Sequence, residues 1–347
     1  MGLLQFTKQG IYCERADVYI DPVRSVNKAL ITHGHADHAR SGHKHYLCHK
    51  DSAPILKLRL GKKIQVESYG YNDLIQINGV RFSFHPAGHI VGSAQIRVEH
   101  KGEIWVVTGD YKLENDGVCI PYEPVKCHHF ITECTFGLPI YQWRPQEKVF
   151  DEINRWWHQN QQLNQTSVLF GYSLGKAQRL LQNVDESIGP IFTHNTVFKV
   201  NETLIEHGIS IRSTKSIDRV KDTKNLRKAL IIAPQASMDV PWMRKLQPCS
   251  VAFASGWMGI RSSRRNRSAG RGFVLSDHAD WEELNLAIKE SEAEHVIAMH
   301  GYTDSFAKWL NENGINATTE KSMIENQQQE SDGLSNHSHD TSASKSA

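Results

Sequence analysis

Long apolar runs, paired cysteines and an excess of charge of one sign are all absent from the sequence. No apolar run approaches the ~18 residues that a membrane-spanning helix needs, so we expect no transmembrane segment. The first ten residues, MGLLQFTKQG, lack the basic and apolar regions of a secretory signal. The six cysteines include no C-x-x-C pair, which disfavours a disulfide framework or a structural zinc knuckle. These absences predict a cytoplasmic protein with reduced thiols.

Charge is nearly balanced, with 40 basic and 38 acidic side chains among 347 residues. This balance excludes a protein that wraps nucleic acid by bulk charge, although it permits a local track of cations. The length predicts one large domain or two ordinary ones. The unusual feature is the content of 19 histidines. Several of them stand in close groups, which favours metal binding.

Short strands dominate the chain as far as about residue 135. Brief apolar or alternating runs are separated by Gly, Pro, Asn and Asp, and they predict two packed sheets. These runs are DVYI, ALIT, HYLC, KIQVE, VRFSF, AQIRV, EIWVVTGD and HFITE. After Pro145 the pattern changes, because strands then alternate with the helical segments Glu147–Leu163, KAQRLLQNV, NTVFKVNETLIEHG and MDVPWMRKL. This alternation predicts an α/β unit with a parallel sheet.

The chain therefore divides into a β-rich domain that is interrupted by an inserted domain. We place the first part at residues 1–145, the inserted α/β domain at 146–262 and the completion of the first domain at 263–320. Residues 321–347 consist mostly of Gln, Ser, Asn, His and Asp, with very few apolar side chains. This composition predicts a disordered tail.

The segment ALITHGHADHA carries the strongest chemical pattern, His33-x-His35-x-Asp37-His38, directly after a predicted strand. Residues two apart on an extended loop point the same way, so His33 and His35 can bind one ion together. Asp37 and His38 follow at a turn and face a second position. Zinc accepts imidazole nitrogens and carboxylate oxygens in such sites. The alternative, that these residues only cap a helix, suits Asp37 alone better than four adjacent ligand-type residues.

Two later strand ends supply further candidate ligands. His89 follows VRFSF within HPAGHIVGSAQI, where small residues permit close approach of the backbone. Asp110 ends the apolar strand of WVVTGDYK, where an aspartate can bridge two cations about 3.5–4 Å apart. Together with the first motif, both residues are expected to bind metal.

These three motifs together resemble the metallo-β-lactamase fold over residues 1–145. The shared elements are His-x-His-x-Asp-His, the later Gly-His-x-x-Gly-Ser and the Gly-Asp at a strand end. The resemblance implies an αββα sandwich with a dinuclear metal site on its rim. Asp21, in YIDP, is similar to an early aspartate of the family that orients the metal-binding loop from behind the ligands.

The second half of the chain resembles the β-CASP nucleases. Glu133 in FITECTFG, His278 in LSDHAD and His300 in VIAMHGYTD each follow or end a predicted strand, and GYSLGKAQRLL resembles part of the inserted domain of that group. The resemblance spans about residues 3–315. It implies an α/β fold in which the metallo-β-lactamase sandwich carries an inserted α/β β-CASP domain.

The resemblance also implies roles for individual residues. One zinc would be held by His33, His35, His89 and Asp110, and the other by Asp37, His38, Asp110 and His300; these ligands also accept manganese. The two cations would neutralise a scissile phosphate and lower the pKa of a bridging water to about 7. The catalytic residues would be His278, Glu133 and Asp37. In this interpretation His278 is the general acid and Glu133 favours its protonated ring.

A local concentration of positive charge precedes the His278 strand. The segment RSSRRNRSAGR contains Arg261, Arg264, Arg265, Arg267 and Arg271. Guanidinium groups bind phosphates well, so we predict that these arginines, with Lys176 of GYSLGK, contact nucleic-acid phosphates. A solvated loop is the alternative interpretation of this segment.

Two resemblances within the β-CASP group point to different substrates. A histidine at position 300 resembles the RNA-processing branch, which implies an RNA endonuclease or exonuclease of the 3′-end-processing type. The stretches LLQFTKQGIYC, HYLCHKDSAPIL and MHGYTDSFAKWL resemble the bacterial ligase-associated DNA exonucleases. This second resemblance implies 5′ to 3′ hydrolysis of single-stranded DNA in repair, alongside a DNA ligase and a helicase. We follow the second, with RNA as the alternative substrate.

A rival function of a different class rests on GYSLG at Gly171–Gly175. This segment matches G-x-S-x-G, the nucleophile elbow of α/β-hydrolases, and would make Ser173 the nucleophile of a serine esterase. That fold would leave the upstream histidines without a purpose, and the sequence has no HGGG-type oxyanion motif.

Overall fold

The first sheet is built from short strands near the N-terminus. The structure, a computed structural model, describes residues 2–221, 226–238, 241–260 and 270–325. The strands of this sheet follow chain order: β1 (Gln5–Thr7), β2 (Gly10–Cys13), β3 (Val18–Ile20), β4 (Lys28–Ile31), β5 (His45–His49) and β6 (Gln65–Tyr69). β1 to β3 pair antiparallel and β3 to β6 pair parallel. Burial alternates along β2 and β3, as in strands with one packed face.

The second sheet combines five consecutive strands, β7 to β11, with two that return from the end of the chain. Its order is β19 (Ala317–Thr319), β18 (His295–Gly301), β11 (His129–Cys134), β10 (Glu103–Val107), β9 (Ala94–His100), β8 (Val80–Pro86) and β7 (Ile75–Ile77). β7 to β10 pair antiparallel, whereas β10, β11, β18 and β19 pair parallel. The central β11 is buried along nearly its whole length, because both of its faces are covered.

The third sheet is parallel throughout. Its order is β14 (Lys215–Ser216), β13 (Ile191–Thr193), β15 (Leu230–Ala233), β12 (Thr166–Phe170), β16 (Cys249–Ala254) and β17 (Arg271–Phe273). β12 and β15 consist of buried residues only, which is typical of a parallel strand covered on both faces. The domain boundary that we predict at residue 262 falls before β17, which pairs with β16 in this sheet.

The helices of the described segments are α1 (Ala53–Leu60), α2 (Gln146–Gln162), α3 (Lys176–Asn183), α4 (Asn195–Glu206), α5 (Trp281–Ser291) and α6 (Thr303–Glu312). Helix α2 begins directly after Pro145 and buries Val149, Ile153 and Trp157 on one face, a spacing that makes an amphipathic helix. Helix α5 begins at Asp280, whose side chain accepts a hydrogen bond from the backbone N–H of Glu283 and so caps the helix.

The first two sheets pack face to face and carry helices on their outer faces. Between them lies a core to which both sheets contribute, including Leu30 and Leu47 from the first and Phe82 and Ile131 from the second. Helix α1 covers the outer face of the first sheet, and α5 and α6 cover that of the second. The layers are therefore helix, sheet, sheet and helix. Helices α2, α3 and α4 pack on one face of the third sheet in a separate core.

The carboxyl ends of several strands meet at one edge of the second sheet. β8 runs antiparallel to β9, and β9 runs antiparallel to β10, so β8 points the same way as β10, β11 and β18. Side chains that follow these strands are consequently brought together. His89 follows β8, Asp110 follows β10, Glu133 lies near the end of β11 and His300 near the end of β18.

The predicted mixed α/β architecture with several sheets is confirmed. Each predicted strand up to residue 135 overlaps an observed strand, and the helix predicted over Glu147–Leu163 is α2. The prediction of a helix over MDVPWMRKL was wrong for its described part, because Pro241–Leu246 forms a 3-10 helix. Pro241 has no N–H to donate and fits only the first turn of an α-helix. No helix in the described part of the chain is long and apolar enough to cross a membrane.

The segment predicted as a disordered tail, 321–347, is ordered at its start. Residues 320–325 are helical, and Met323 and Ile324 pack against the core between the first two sheets. These two apolar side chains explain the difference, since their burial stabilises one more turn of helix. Residues 326–347 lie outside the described residues.

Replacing Leu180 with Ala should lower the free energy of unfolding by roughly 2–5 kcal/mol, because it opens a cavity under the third sheet. Leu180 of α3 is fully buried in that core. The matched control is Leu163→Ala at the end of α2, where the side chain is 67% exposed and the change should be near zero. Urea denaturation of both variants measures the difference, and equal midpoints would contradict the packing described here.

Candidate metal centre

Three histidines and one aspartate converge where the strands end. His33 and His35 follow β4, His89 follows β8 and Asp110 follows β10, and one ligand atom of each lies within 4.8 Å of the others. His33 Nε2 and His89 Nε2 each lie 3.1 Å from His35 Nδ1. The same two Nε2 atoms lie 3.5 and 3.6 Å from Asp110 Oδ2. Four potential metal ligands therefore surround one point.

The outward-facing nitrogen of each histidine is occupied by a protein acceptor. His35 Nε2 lies 3.1 Å from the carbonyl oxygen of Leu174, and His89 Nδ1 lies 2.6 Å from that of Asp277. His33 Nδ1 lies 3.1 Å from Thr32 Oγ1, whose own hydrogen is donated to Asp21 Oδ2 at 2.5 Å. The ring protons are assigned to these outer nitrogens because each of them faces an oxygen of the protein. The three inner nitrogens then carry lone pairs.

Burial and charge support the same protonation states. Burial lowers the pKa of both His33 and His89 well below the ordinary value. The nearby ring of His38 lowers the pKa of His33 further, and that of His278 lowers the pKa of His89 further. Burial alone would raise the pKa of Asp110, but His38 and His278 hold it well below its usual range. Neutral imidazoles and an ionised carboxylate are the forms that bind metal. At these distances three lone pairs and an anion repel one another, and a cation between them would remove that repulsion. The donor set therefore fits a zinc ion.

A second group of predicted ligands lies beside the first, around the other oxygen of Asp110. His38 Nε2 is 3.4 Å from Asp110 Oδ1 and 4.0 Å from Asp37 Oδ2. The ring centroids of His300 and His38 lie 5.4 Å apart. The backbone of His300 has a φ of 55°. These four residues are brought to one place, although less tightly than the first four. Asp110 offers one oxygen to each group, which suits a bridging carboxylate.

Asp21 lies behind His38. His38 Nδ1 is 2.7 Å from Asp21 Oδ2, and the backbone N–H of Thr32 donates to Asp21 Oδ1 at 2.8 Å. One carboxylate therefore orients both His38 and the start of the metal-binding loop. Thr32 takes part in this arrangement and was not predicted from the sequence.

His278 and Glu133 form an ion pair next to the first group. His278 Nδ1 lies 2.9 and 3.0 Å from the two oxygens of Glu133, which is buried and also accepts the backbone N–H of Tyr111. Burial lowers the pKa of His278, but Glu133 and Asp110 outweigh this effect and raise it to about 9. The ring is 4.7 Å from that of His89, and its side chain is 25% exposed.

Asp110, Glu133 and His278 also satisfy the distance criterion for a metal-binding group. His278 directs Nδ1 at both oxygens of Glu133, so this nitrogen donates its proton to the carboxylate and has no lone pair free for a metal. The pair is therefore interpreted as an acid and its orienting carboxylate.

Buried charges join helix α3 to the segment that carries His278. Lys176 Nζ lies 2.9 Å from Asp277 Oδ1, and Arg179 donates to the carbonyl oxygen of Ser276 at 2.5 Å and to the carboxylate of Glu114. Burial lowers the pKa of Lys176 to about 8, although Asp277 opposes the shift. Lys176 is predicted from the sequence as a phosphate contact, whereas in the structure it pairs with Asp277. Asp277 and Arg179 were not predicted.

Of the predicted arginine track, Arg261, Arg264, Arg265 and Arg267 lie outside the described residues. Arg271 is exposed in β17, with its guanidinium carbon 5.1 Å from the centroid of the Phe273 ring. The role of the track in phosphate binding stays a prediction.

A cavity of ≈ 850 Å³ opens over both groups of ligands. Its wall includes His35, His38, His89, Asp110, His278 and His300, and it also includes residues that follow strands of the third sheet, such as Tyr172 and Trp257. Ser173 lines the same cavity. Within the described residues, no hydrogen bond joins its hydroxyl to a histidine, which a serine esterase requires.

Comparison with known proteins gives relatives of two kinds. Over 313 residues, 89% of this chain, the sequence is 30% identical to a probable DNA ligase from Opitutus terrae, of which it covers 30%. It is 28% identical over 205 residues to the cleavage and polyadenylation specificity factor subunit 3-I of Arabidopsis thaliana, covering 48% of this chain and 28% of that protein. It is 30% identical over 125 residues to endoribonuclease YSH1 of Candida glabrata, covering 35% and 16%. The chain is homologous to these proteins.

The chain spans less than a third of the length of these relatives. No family model matches it. A crystal structure of a protein of unknown function from Enterococcus faecalis superposes with a TM-score of 0.58 at 14% identity, covering 84% of this chain and 78% of the other. This likeness concerns the fold alone.

Replacing His33 or Asp37 with Ala should reduce the zinc retained after dialysis, because each change removes a ligand from one of the two groups. Metal content is measured by mass spectrometry on protein loaded with zinc. The control is His207→Ala, which changes an exposed histidine at the end of α4 and should leave the zinc content unchanged. Wild-type zinc content in both ligand variants, with folding verified by circular dichroism, would show that the ligand set is wrong.

Proposed function

We propose that this chain is a metal-dependent nuclease that hydrolyses phosphodiester bonds with two bound zinc ions. The observation that carries this proposal is a metal-type cluster beside a hydrogen-bonded histidine–glutamate pair, with His35, His89, Asp110 and His278 on the wall of one cavity. The relatives named as an endoribonuclease and as a cleavage factor support the same class of reaction.

The metal ligands would serve the attacking water, and the pair of His278 and Glu133 would serve the departing oxygen. His33, His35, His89 and Asp110 would hold one cation, and Asp37, His38, Asp110 and His300 the other. Bound there, the cations would neutralise the phosphate and make a water nucleophilic at neutral pH. Glu133 holds the Nδ1 proton of His278, so Nε2–H is left to donate to the departing oxygen. General acid catalysis of this kind contributes about 10²–10⁴-fold.

We propose DNA as the substrate and 5′ to 3′ removal of nucleotides from single strands as the activity. The relative that matches 89% of this chain is named a probable DNA ligase and is longer than the matched segment. A nuclease and a ligase in one pathway suit the repair of breaks, so a ligase and a helicase are the proposed partners, in the cytoplasm. The alternative is an RNA nuclease of the 3′-end-processing type, which the shorter matches and His300 favour.

Replacing His278 with Ala should lower kcat by about 10²–10⁴-fold while zinc content stays unchanged, because the acid is lost and the ligands remain. Glu133→Gln keeps a hydrogen-bond acceptor but removes the charge that raises the pKa of His278, so it should cause a smaller loss. Single-turnover hydrolysis of an end-labelled oligonucleotide measures both variants. Full activity of His278→Ala would exclude it as the acid.

Product mapping separates the two substrates. One oligonucleotide sequence is prepared as DNA and as RNA, is labelled at either end, and is incubated with and without chelator. We expect chelator-sensitive release of mononucleotides from the 5′ end of the DNA, with RNA spared. Internal cuts in RNA with DNA spared would instead assign the chain to RNA processing.

A further inference from the structure

Two aromatic side chains remain exposed on the wall of the cavity. Tyr172 is 74% exposed and Trp257 is 39% exposed. Among the described residues, they are the only aromatic side chains in the set of large hydrophobic residues left exposed, and both line the cavity over the metal ligands. Exposed aromatic surface costs free energy in water, and its concentration in one cavity marks a binding surface.

Tyr172 is fixed next to the metal cluster. It follows β12 in the turn that leads into α3, and its carbonyl oxygen accepts the backbone N–H of Ala177 at 2.9 Å. Two residues later, the carbonyl oxygen of Leu174 accepts a hydrogen bond from His35 Nε2. The ring of Tyr172 lies 6.4 Å from that of His35 between centroids. The position of this aromatic ring is thus coupled to a proposed metal ligand.

Trp257 is separated from His278, the proposed acid, by the ring of Phe136. It follows β16, and one side of its indole packs on Phe136 at 4.8 Å between centroids. Phe136 is buried and lies 6.0 Å from the ring of His278. The preceding Gly256 leaves no room for a side chain, since a Cβ atom there would lie 2.7 Å from Phe136 and 3.0 Å from Ser276. The close approach of the chain therefore places the indole at this point of the wall.

Resting on the function proposed above, we propose that Tyr172 and Trp257 each stack on one unpaired base of a single-stranded nucleic acid next to the reacting phosphate. Every base has an aromatic face, so such stacking tolerates any sequence. Bases inside a duplex are already stacked on their neighbours and cannot offer these faces. The two rings thus select an unpaired strand, and they do so without contact to the metal.

Two cationic side chains on the wall of the cavity can contact the phosphate backbone of the single-stranded nucleic acid. Lys199 of α4 lines the cavity, is exposed and forms no ion pair within the described part of the chain. Arg59 of α1 also lines it and donates to the carbonyl oxygen of Gly34 at 2.6 Å. Aromatic rings with cations along one groove are the combination that binds single strands.

The test measures binding in the presence of chelator, so that it does not depend on hydrolysis. A 12-residue thymidine oligonucleotide is compared with the same backbone in which tetrahydrofuran residues replace the nucleosides, both by fluorescence anisotropy at one salt concentration. Tyr172→Ala and Trp257→Ala should each bind the base-containing oligonucleotide about 5–100-fold more weakly than wild type. Tyr172→Phe and Trp257→Phe should remain within about threefold of wild type, since each keeps an aromatic face.

The oligonucleotide without bases should bind wild type and both Ala variants equally. The control Ile140→Ala, which changes another exposed hydrophobic residue that does not line the cavity, should bind both oligonucleotides like wild type. The proposal is overturned if the Ala variants bind the base-containing strand as tightly as wild type, or lose affinity for both oligonucleotides alike. Tight, base-dependent binding by a wild type that hydrolyses no nucleic acid would retain this inference and reject the nuclease function.

Discussion

The mutual repulsion of three imidazole lone pairs is the constraint on which the rest of the site depends. His33 and His89 direct nitrogens to within 3.1 Å of a nitrogen of His35, and this arrangement is stable only with a cation between them or with strong external restraint. The restraint comes from distant parts of the chain, because the acceptors of His35 and His89 lie 139 and 188 residues away. The first two sheets alone would not complete the site.

The buried ion pairs explain how the third sheet contributes that restraint. Lys176 and Arg179 of α3 hold Asp277 and Ser276, and the carbonyl oxygen of Asp277 in turn fixes His89. Removal of one partner from a buried ion pair leaves an uncompensated charge and costs several kcal/mol. The same segment presents His278 to Glu133. One set of charges therefore positions both a metal ligand and the proposed acid.

The local motifs could be predicted from the sequence, whereas the groups that support them could not. His33, His35, Asp37 and His38 are visible because they are close in sequence, and His89 and Asp110 because polar residues at strand ends stand out. The supporting groups include the backbone carbonyls of Leu174 and Asp277, which have no side-chain signature. The prediction of Lys176 as a phosphate contact did not include its ion pair with Asp277, because its burial there depends on a helix packing that no local pattern reveals.

The chemistry and the selection of the strand arise from different sheets. The proposed ligands follow strands of the first two sheets, whereas Tyr172 follows β12 and Trp257 follows β16, which are neighbouring parallel strands of the third. Loops at the carboxyl ends of neighbouring parallel strands lie at one edge, so both rings reach the same cavity. Because these loops can change without altering a ligand, one metal centre on this fold could serve different nucleic acids. The likeness to relatives named for DNA ligation and for RNA cleavage is compatible with that division.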